Sequence, residues 1–323
     1  MERFAAPWWL PGGNAQTIWP ALVSRRRSDA AVPALRRERW DTPDGDFIDV
    51  DFADPPTPDA PWLVLFHGLE GTVRSHYVGS FAAAARAGGW GFALPYFRGC
   101  SGELNRAPRG YHSGDHEEVG WILGRLRARS AAPLRAVGVS LGGNALLRWA
   151  EEAGEAAAPV AAAVAAVCSP LDLAAVGRAI GRGFNRLTYT RMFLRTLKPK
   201  ALAKLAQHPG LFDRQRLLAA RDLYEFDNVF TAPLHGFRDT DDYYSRASAK
   251  PHLRRIRIPA LVLNARNDPF VPAASLPQAH EVSRFVTLWQ PPHGGHVGFP
   301  GGRFPGHVLT LPEAVLGWMR HVT

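Results

Sequence analysis

Short apolar runs recur along the chain, and segments with helical periodicity lie between them. Trp62–Phe66 is continuously apolar, which is typical of a strand buried on both faces of a sheet. Similar runs follow at Gly91–Leu94, Ala136–Val139, Val164–Val167, Leu261–Leu263 and Phe285–Trp289. Helical stretches are predicted at Tyr77–Ala87, Glu117–Ala128, Gly143–Ala153 and Leu311–Arg320. Strands that alternate with helices predict an α/β fold with a mostly parallel sheet and right-handed crossovers.

Two regions depart from this alternation. Before Trp62, the strand-like runs Arg37–Thr42 and Phe47–Phe52 are separated by Pro43-Asp44-Gly45, which predicts an antiparallel hairpin. Residues 171–250 contain no strand-like run, and helices are predicted there at Tyr189–Leu197, Ala201–Ala206 and Gln215–Leu223. We therefore expect a single domain over 1–323, with a helical cap insertion at 171–250 above the carboxyl ends of the strands.

The composition is that of an ordinary globular protein. Hydrophobic residues make up 46% and charged residues 21% of the 323 positions, which excludes disordered, collagen-like and coiled-coil classes. Cys100 and Cys168 are the only cysteines, too few for a disulfide framework, and they fit a reducing compartment. The first residues do not form the pattern of a signal peptide, and the Ala-rich stretch Ala156–Cys168 is too short to span a bilayer. A cytoplasmic protein is expected.

The net charge raises the question of an anionic partner. The chain has 38 basic and 29 acidic residues, a formal charge of +9. The arginines are spread along the sequence, and the densest runs, Arg25-Arg26-Arg27, Arg36-Arg37 and Arg254-Arg255, are short. Without a zinc-finger spacing or an RNA-binding aromatic signature, nucleic acid is not an expected partner. A weak attraction to an anionic membrane surface stays open.

The first chemical signal is Gly138-Val139-Ser140-Leu141-Gly142, which directly follows an apolar run and directly precedes a helical one. Gly-x-Ser-x-Gly in this context is typical of a nucleophile elbow, in which the serine occupies a strained turn between strand and helix. A glycine-rich turn without chemistry is the alternative. The elbow interpretation predicts that Ser140 is a nucleophile at the N-terminus of a helix that stabilises negative charge.

A nucleophilic serine needs a base, an acid and an oxyanion hole, and in this fold the acid and the base follow the serine in that order. Asp268 follows the run Leu261–Leu263, although an Asx turn before Pro269 would also account for it. His296 and His293 both follow Phe285–Trp289, and either is a candidate base.

The oxyanion hole is predicted to use the backbone N–H of Leu141, directly after the nucleophile, and a second N–H from the loop after Trp62–Phe66. Gly68 permits a sharp turn in that loop, so Leu69 is the candidate second donor. His67 is interpreted as a structural anchor of the same loop, because the order of elements already supplies a base.

Taken together, these segments resemble the YheT-like family of α/β hydrolases over nearly the whole chain. The resemblance rests on the segments Gln16-Thr17-Ile18, His67-Gly68-Leu69-Glu70-Gly71, Ser75-His76-Tyr77, Phe97-Arg98-Gly99-Cys100-Ser101-Gly102-Glu103, Asn105-Arg106, Tyr111-His112-Ser113-Gly114, Ser140-Leu141-Gly142-Gly143-Asn144, Asp268-Pro269-Phe270 and Gly294-Gly295-His296-Val297-Gly298-Phe299. It implies an α/β-hydrolase fold, a Ser140–Asp268–His296 triad and hydrolysis of carboxylic esters. It also favours His296 over His293.

The sequence departs from the family pattern at Asn14-Ala15, where His-Leu is usual, and at Asn267, where Asp is usual. The membrane anchor of the animal members is not expected here. The role of the N-terminal arm stays open, and so does that of Arg98–Arg106 and Tyr111–Asp115, which form either a wall of the acyl site or a hydrogen-bonded network under the cap. Aromatic and aliphatic cap residues are candidates for an acyl pocket or for packing within the cap: Phe184, Tyr189, Met192, Phe193 and Leu197.

The expected activity is that of a serine esterase on short- to medium-chain acyl esters, with a small-molecule substrate and without metal or organic cofactor. Three alternatives stay open. The same triad would serve an alcohol acyltransferase that synthesises esters. A non-catalytic binding protein could keep the fold, and a surface-binding protein could use the basic charge. The sequence does not indicate an oligomeric state.

Overall fold

The computed structural model describes residues 4–23 and 32–322. At its centre is an eight-stranded sheet with the order β1-β2-β4-β3-β5-β6-β7-β8. The strands are β1 (Arg36–Asp41), β2 (Phe47–Ala53), β3 (Trp62–Phe66), β4 (Gly91–Pro95), β5 (Leu134–Val139), β6 (Ala163–Val167), β7 (Ala260–Leu263) and β8 (Val286–Trp289). β2 pairs antiparallel with β1 and with β4, and the other neighbours pair parallel. The predicted α/β class, with its opening hairpin and mostly parallel sheet, is confirmed.

The helices cover both faces of the sheet and one of its ends. They are α1 (Gly12–Val23), α2 (His76–Ala87), α3 (His116–Arg129), α4 (Leu141–Ala153), α5 (Leu173–Ile180), α6 (Gly183–Asn185), α7 (Arg191–Gln207), α8 (Arg214–Ala219), α9 (Leu223–Val229), α10 (Thr231–Leu234), α11 (Thr240–Ala247) and α12 (Thr310–His321). A π-helical turn at Arg186–Thr190 joins α6 to α7. Among the described residues, no helix is both long enough and apolar enough to cross a membrane.

The direction of each crossover decides which face a helix covers. The chain moves from β3 to β4 towards one edge of the sheet, and then from β4 through β5 to β6 towards the other. Right-handed crossovers therefore place α2 on one face and both α3 and α4 on the opposite face. In agreement with this, α3 packs against α4, and α12 packs against α2. The side chains of the central strands are buried on both faces.

The hairpin edge carries a ladder of ion pairs. On β2, Asp49 and Asp51 point away from the apolar core and accept hydrogen bonds from Arg39 and Arg37 of β1, at 2.8 and 2.7 Å. Each pair is bidentate, which is the strong geometry for a guanidinium and a carboxylate. The arginines at this edge are thus neutralised by carboxylates of the neighbouring strand.

The segment between β6 and β7 is helical. Residues 168–259, all of which the structure describes, contain no strand. The predicted helices Tyr189–Leu197 and Ala201–Ala206 are one continuous helix, α7, which runs through Pro199. The predicted helix Gln215–Leu223 is instead divided between α8 and α9. The backbone of Asp222 is extended, which interrupts the helix, and its side chain caps α9 by accepting from the Glu225 N–H at 2.9 Å.

Candidate active site

Ser140 occupies the turn between β5 and α4, in a backbone conformation that few residues adopt. Its φ is 52° and its ψ is −120°. The two glycines of the motif allow this turn to fit against its neighbours. A Cβ on Gly138 would lie 2.4 Å from the Gly142 oxygen, and a Cβ on Gly142 would lie 2.5 Å from the His67 oxygen. The turn thus requires glycine on both sides of Ser140, and it presents the hydroxyl above the carboxyl end of the sheet.

The structure brings Ser140, His296 and Asp268 together. Ser140 Oγ lies 3.1 Å from His296 Nε2, and His296 Nδ1 lies 2.8 Å from Asp268 Oδ2. A carboxylate can only accept, so Nδ1 carries the proton and donates to Asp268. That tautomer leaves the lone pair of Nε2 free to accept the Ser140 hydroxyl proton. Asp268 is itself fixed, because its Oδ1 accepts from the N–H groups of Phe270 and Val271 at 2.7 and 3.2 Å.

The alternative base, His293, is not part of this arrangement. Its side chain is exposed, and its Nδ1 lies 3.5 Å from the Asn267 side-chain nitrogen. The His296 ring, in contrast, is only 11% exposed and packs against the Phe270 ring at a centroid distance of 4.3 Å. Of the two histidines, the geometry therefore favours the one that the resemblance indicated.

The two predicted oxyanion donors lie on loops that meet at Ser140. Leu141 opens α4, and Leu69 follows β3, which pairs with β5 directly before the elbow. A Cβ on Gly68 would lie 3.2 Å from Ser140 Cβ, so the Leu69 loop is in close contact with the serine. Among the described residues, neither the Leu69 N–H nor the Leu141 N–H has a hydrogen-bond acceptor. Both groups are available to an oxygen atom of a ligand.

His67 anchors this loop, which is the structural role predicted for it. The ring is fully buried, Nδ1 donates to the Gly68 oxygen at 2.7 Å, and Nε2 accepts from the Phe97 N–H at 3.1 Å. Burial lowers the pKa of His67 to about 4, so the ring is neutral near pH 7. A neutral ring with both nitrogens engaged holds two loops together and is not free to accept a proton from a substrate.

A second set of contacts at this loop was not predicted. Glu70, next to Leu69, has a positive φ of 55°. Its N–H donates to the Tyr111 hydroxyl at 2.9 Å, and its carboxylate accepts from the same hydroxyl at 2.9 Å and from Lys200 Nζ at 2.7 Å. Lys200 belongs to α7, so this ion pair links α7 directly to the loop that carries Leu69.

The N-terminal helix α1 holds the His296 loop from the other side. Gln16 Oε1 accepts from the Gly294 N–H at 2.9 Å and from Asn267 Nδ2 at 3.0 Å. The Thr17 hydroxyl accepts from the His296 N–H at 2.8 Å. Asn267 Oδ1 accepts in turn from the Gly295 N–H at 3.0 Å. The aspartate that is usual at this position has no N–H group when it is ionised, so it could not donate to Gln16 as Asn267 does. The N-terminal arm, whose role the sequence left open, thus contacts the loops of both Asp268 and His296.

We expect Thr17→Val to lower kcat by about tenfold to a hundredfold, because a small displacement of a catalytic group has effects of this size. Valine keeps the shape of threonine but leaves the half-buried His296 N–H without its acceptor. Steady-state kinetics on a soluble p-nitrophenyl ester measure kcat and KM separately, and a positioning role predicts that kcat changes more than KM.

Two control variants separate the loss of the Thr17 hydroxyl from other effects of the substitution. Thr17→Ser keeps the acceptor and should retain most of the activity, whereas Thr196→Val removes an exposed hydroxyl on α7 and should have no effect. Wild-type kcat in Thr17→Val would show that α1 does not position His296.

Cys168 lies behind the Asp268–His296 pair. It follows β6 with a φ of 50°, and its sulfur accepts from the Val297 N–H at 3.2 Å. Ligand atoms of Cys168, Asp268 and His296 lie within 4.8 Å of one another, the spacing of a metal site. Burial and the Asp268 charge, however, raise the pKa of the Cys168 thiol well above its usual value. The three side chains already have hydrogen-bond partners, since Asp268 Oδ1 accepts from Phe270, Asp268 Oδ2 accepts from His296, and the Cys168 sulfur accepts from Val297. The cluster therefore fits a hydrogen-bonded support of the acid and the base.

A largely apolar cavity of about 150 Å³ opens beside Ser140 and His296. Its apolar lining comes mainly from the helical segment between β6 and β7, through Leu173, Val176, Ile180, Phe193, Leu197, Phe226 and Phe230. Phe193 and Leu197 were candidates for this role. The other three candidates do not line the cavity. Phe184 and Met192 are each 53% exposed, and Tyr189 packs against Phe270 and donates to Asn14 at 2.9 Å.

The polar loops under the cap form both the wall and the network that the sequence left open. Arg98, Asn105 and Tyr111 are among the cavity residues. The Arg98 guanidinium also donates to Asp46 at 2.9 Å and pairs with Glu118. One side of these loops therefore faces the cavity, while the other is held by buried hydrogen bonds.

The comparisons with known proteins agree with this geometry. Residues 61–302 match the family model described as alpha/beta hydrolase fold. The chain is 40% identical to YheT of Escherichia coli (strain K12), a protein named as an esterase, over 95% of this chain and 89% of that protein. It is 30% identical to Phospholipase ABHD3 of Mus musculus, over 94% of this chain and 75% of that protein. The solved structure of mouse alpha/beta hydrolase domain-containing protein 10 covers 90% of this chain and all of its own, with a TM-score of 0.57 and 13% identity, a likeness of fold.

Proposed function

This chain belongs to the family of α/β hydrolases and, within it, to the YheT-like group of carboxylic ester hydrolases, and we propose that it cleaves esters through an acyl-enzyme formed on Ser140. The observation that carries the proposal is the continuous hydrogen-bond chain from Ser140 through His296 to Asp268, beside an apolar cavity. A nucleophile, a base and an orienting carboxylate in this order have the geometry that acyl transfer requires.

In the first half-reaction, Ser140 Oγ attacks the ester carbonyl carbon as its proton moves to His296 Nε2. The carbonyl oxygen becomes an oxyanion and accepts hydrogen bonds from the N–H groups of Leu69 and Leu141, which have no other described acceptor. The carbon–oxygen bond to the alcohol then breaks, and the alcohol takes the proton from His296. Asp268 accepts a hydrogen bond from the imidazolium and stabilises its charge throughout.

In the second half-reaction, a water molecule replaces the alcohol. His296 Nε2 takes a proton from the water as the oxygen attacks the acyl carbon, and the same two N–H groups hold the oxyanion. The bond between the acyl carbon and Ser140 Oγ then breaks, the acid leaves, and the proton returns to Oγ. These steps need only the named groups and water, so the proposal includes neither a metal nor an organic cofactor.

In this proposal the chain is one hydrolase domain over 1–323, and segment 171–250 is a cap that covers the acyl chain. The apolar side chains that the cap contributes to the cavity support a substrate with a hydrocarbon chain of short to medium length. The names of its relatives, an esterase, a phospholipase and a monoacylglycerol lipase of Saccharomyces cerevisiae, support an ester substrate.

A chain-length series of p-nitrophenyl esters tests the proposal. We expect hydrolysis of the acetate, butyrate and octanoate, with kcat/KM for butyrate or octanoate about tenfold or more above that for palmitate, because an apolar cavity of about 150 Å³ has too little room for a long chain. Phe193→Ala enlarges the cavity and should shift the optimum towards longer chains, whereas Met192→Ala, on the exposed side of the same helix, should not. An optimum at palmitate would contradict the substrate length, and no hydrolysis of any ester would contradict the activity.

The same assay separates hydrolysis from ester synthesis. With ethanol added, an esterase releases mainly the free acid, while an alcohol acyltransferase converts most of the acyl group into the ethyl ester. We expect the acid to predominate at low ethanol concentration. A predominance of ethyl ester would assign the chain to acyl transfer by the same acyl-enzyme.

A further inference from the structure

The positive charge of the chain is concentrated in the first half of the cap. Residues 173–212 contain eight basic residues and no acidic residue, in a chain whose formal net charge is +9. The basic residues are Arg178, Arg182, Arg186, Arg191, Arg195, Lys198, Lys200 and Lys204. The arginines are therefore less evenly spread than their short runs indicate. The run Arg25-Arg26-Arg27 lies outside the described residues.

The basic side chains of this segment divide between two sides. Lys200 points inward to the Glu70 carboxylate, and Lys204 donates to the Asn105 and Ala107 oxygens beneath the cap. The five arginines are exposed, and none of them forms an ion pair with a described carboxylate. This differs from the hairpin edge, where Arg37 and Arg39 are paired with buried aspartates. The outer side of the cap segment thus carries uncompensated charge.

Large apolar side chains lie between these arginines. Phe184, Leu187 and Met192 are 53%, 59% and 53% exposed. They belong to the continuous helical stretch formed by α6, the π-helical turn and α7, and Phe193 and Leu197 of the same stretch line the cavity. One side of the stretch therefore faces the substrate cavity, and the other presents apolar and basic side chains to solvent. We define the basic apolar face as Arg182, Phe184, Arg186, Leu187, Arg191, Met192 and Arg195.

We propose that the basic apolar face binds the surface of a phospholipid bilayer that contains anionic lipids. Interfacial helices combine these two features, since apolar side chains enter the boundary of the acyl chains while arginines contact anionic headgroups. Each basic residue close to an anionic bilayer contributes several-fold in affinity. A nucleic acid would also attract the charge, but binding to its phosphates would leave Phe184, Leu187 and Met192 in water.

Docking through this face would bring the helix that lines the cavity onto the bilayer. If the proposed ester hydrolysis is correct, acyl esters dispersed in a membrane would then be close to Ser140. The binding itself does not involve Ser140, so it can be measured in a protein that hydrolyses nothing.

Vesicle flotation with the Ser140→Ala protein tests the proposal. We expect binding to vesicles of phosphatidylcholine with phosphatidylglycerol and little binding to vesicles of phosphatidylcholine alone. Raising the salt to about 1 M should weaken the binding strongly, because the Debye length falls to about 3 Å. Equal binding to both kinds of vesicle, or binding to neither, would overturn the proposal.

Two sets of variants locate the site. The triple charge reversal Arg186→Glu, Arg191→Glu and Arg195→Glu should lower the partition coefficient by about a hundredfold or more. The triple change Phe184→Ser, Leu187→Ser and Met192→Ser should lower it by about tenfold or more. The matched control reverses three exposed arginines at the opposite end of the sheet, Arg86, Arg257 and Arg284, and should bind like the parent. If both charge reversals lower binding equally, the attraction is a property of the net charge and the face is not a site.

Two further measurements separate the outcomes. Placed in the protein with Ser140 intact, the same variants should hydrolyse p-nitrophenyl butyrate like the wild type, since none of the changed residues lies in the cavity. Loss of this activity together with binding would indicate damage to the fold and would overturn the assignment. Binding to duplex DNA that is lost in both triple variants, with no binding to vesicles, would replace the lipid surface by nucleic acid.

Discussion

Replacement of Ser140 by alanine is expected to lower kcat for p-nitrophenyl butyrate by about 10⁵- to 10⁶-fold, which is the scale of losing a catalytic serine. Ser140 Oγ forms the hydrogen bond to His296, and alanine removes this atom while keeping the Cβ that the turn accommodates. A residual rate above that of water remains, because the Leu69 and Leu141 N–H groups still polarise the carbonyl.

The measurement combines steady-state kinetics with labelling by a fluorophosphonate probe. Wild-type protein should gain the mass of one phosphonyl adduct on Ser140, and the alanine variant should gain none. Ser283→Ala, which removes a hydroxyl at the far end of β8, is the matched control and should keep both activity and labelling. An alanine variant with an unchanged thermal transition and more than a tenth of the wild-type kcat would refute the assignment of the nucleophile.

Replacement of Asp268 by asparagine should lower kcat by about 10⁴-fold through the tautomer of His296. The N–H groups of Phe270 and Val271 need an acceptor, so the amide oxygen of the asparagine will face them. Its NH₂ group then points at His296 Nδ1, which can receive that hydrogen bond only as an acceptor. The proton moves to Nε2, and the lone pair that would take the Ser140 proton is lost.

The pattern of kinetic changes distinguishes this cause from a general weakening of the fold. KM and the urea midpoint of Asp268→Asn should stay close to the wild-type values, while labelling by the fluorophosphonate slows along with kcat. Asp213→Asn, at the N-cap of α8, also exchanges a carboxylate for an amide and should leave kcat unchanged. Activity of Asp268→Asn within tenfold of wild type would assign the orienting role to another group.

The sheet and the elements that carry Ser140, Asp268 and His296 could be predicted because their signals are local. Trp62–Phe66 is predicted and observed with the same bounds, since five apolar residues between polar turns are too few for a helix and fit a strand buried on both faces. The elbow is recognisable from residues 138–142 because its glycines are dictated by atoms within and beside the turn. Asp268 is a candidate from the order of strands, once that fold is inferred, whereas the choice of His296 over His293 comes from the family resemblance.

The contacts that hold the site together join residues that are far apart in the chain, so local sequence patterns do not predict them. Helix α1 contains two glycines at its start and Pro20 within it, which argue against a helix by propensity alone. It forms because Gln16 and Thr17 bond to the His296 loop, 278 and 279 positions away. Similarly, the Glu70–Lys200 ion pair joins a β3 loop to a cap helix, and no spacing rule connects the two.

The basic residues of segment 173–212 are spaced along the sequence and do not form a run. A search for consecutive basic residues finds only short runs, because the exposed arginines at 178, 182, 186, 191 and 195 are separated by four or five positions. Arg191 and Arg195 lie one turn apart on α7 and therefore on the same side of it, whereas Arg178 belongs to α5, Arg182 precedes α6 and Arg186 begins the π-helical turn. The absence of acids between Asp172 and Asp213 leaves all five without a neighbouring negative charge in the sequence, and their common exposure, which the sequence does not show, makes the charge a surface feature.

The contact between α1 and the His296 loop also joins an early part of the chain to a late part. Gln16 binds Gly294 across 278 positions, and Thr17 binds His296 across 279. Ser140 and residues 171–250 precede His296 in the sequence, so they are translated before it. In the proposed mechanism, Ser140 therefore has no base until His296 has been synthesised, and the bonds of α1 to this loop can form only after that.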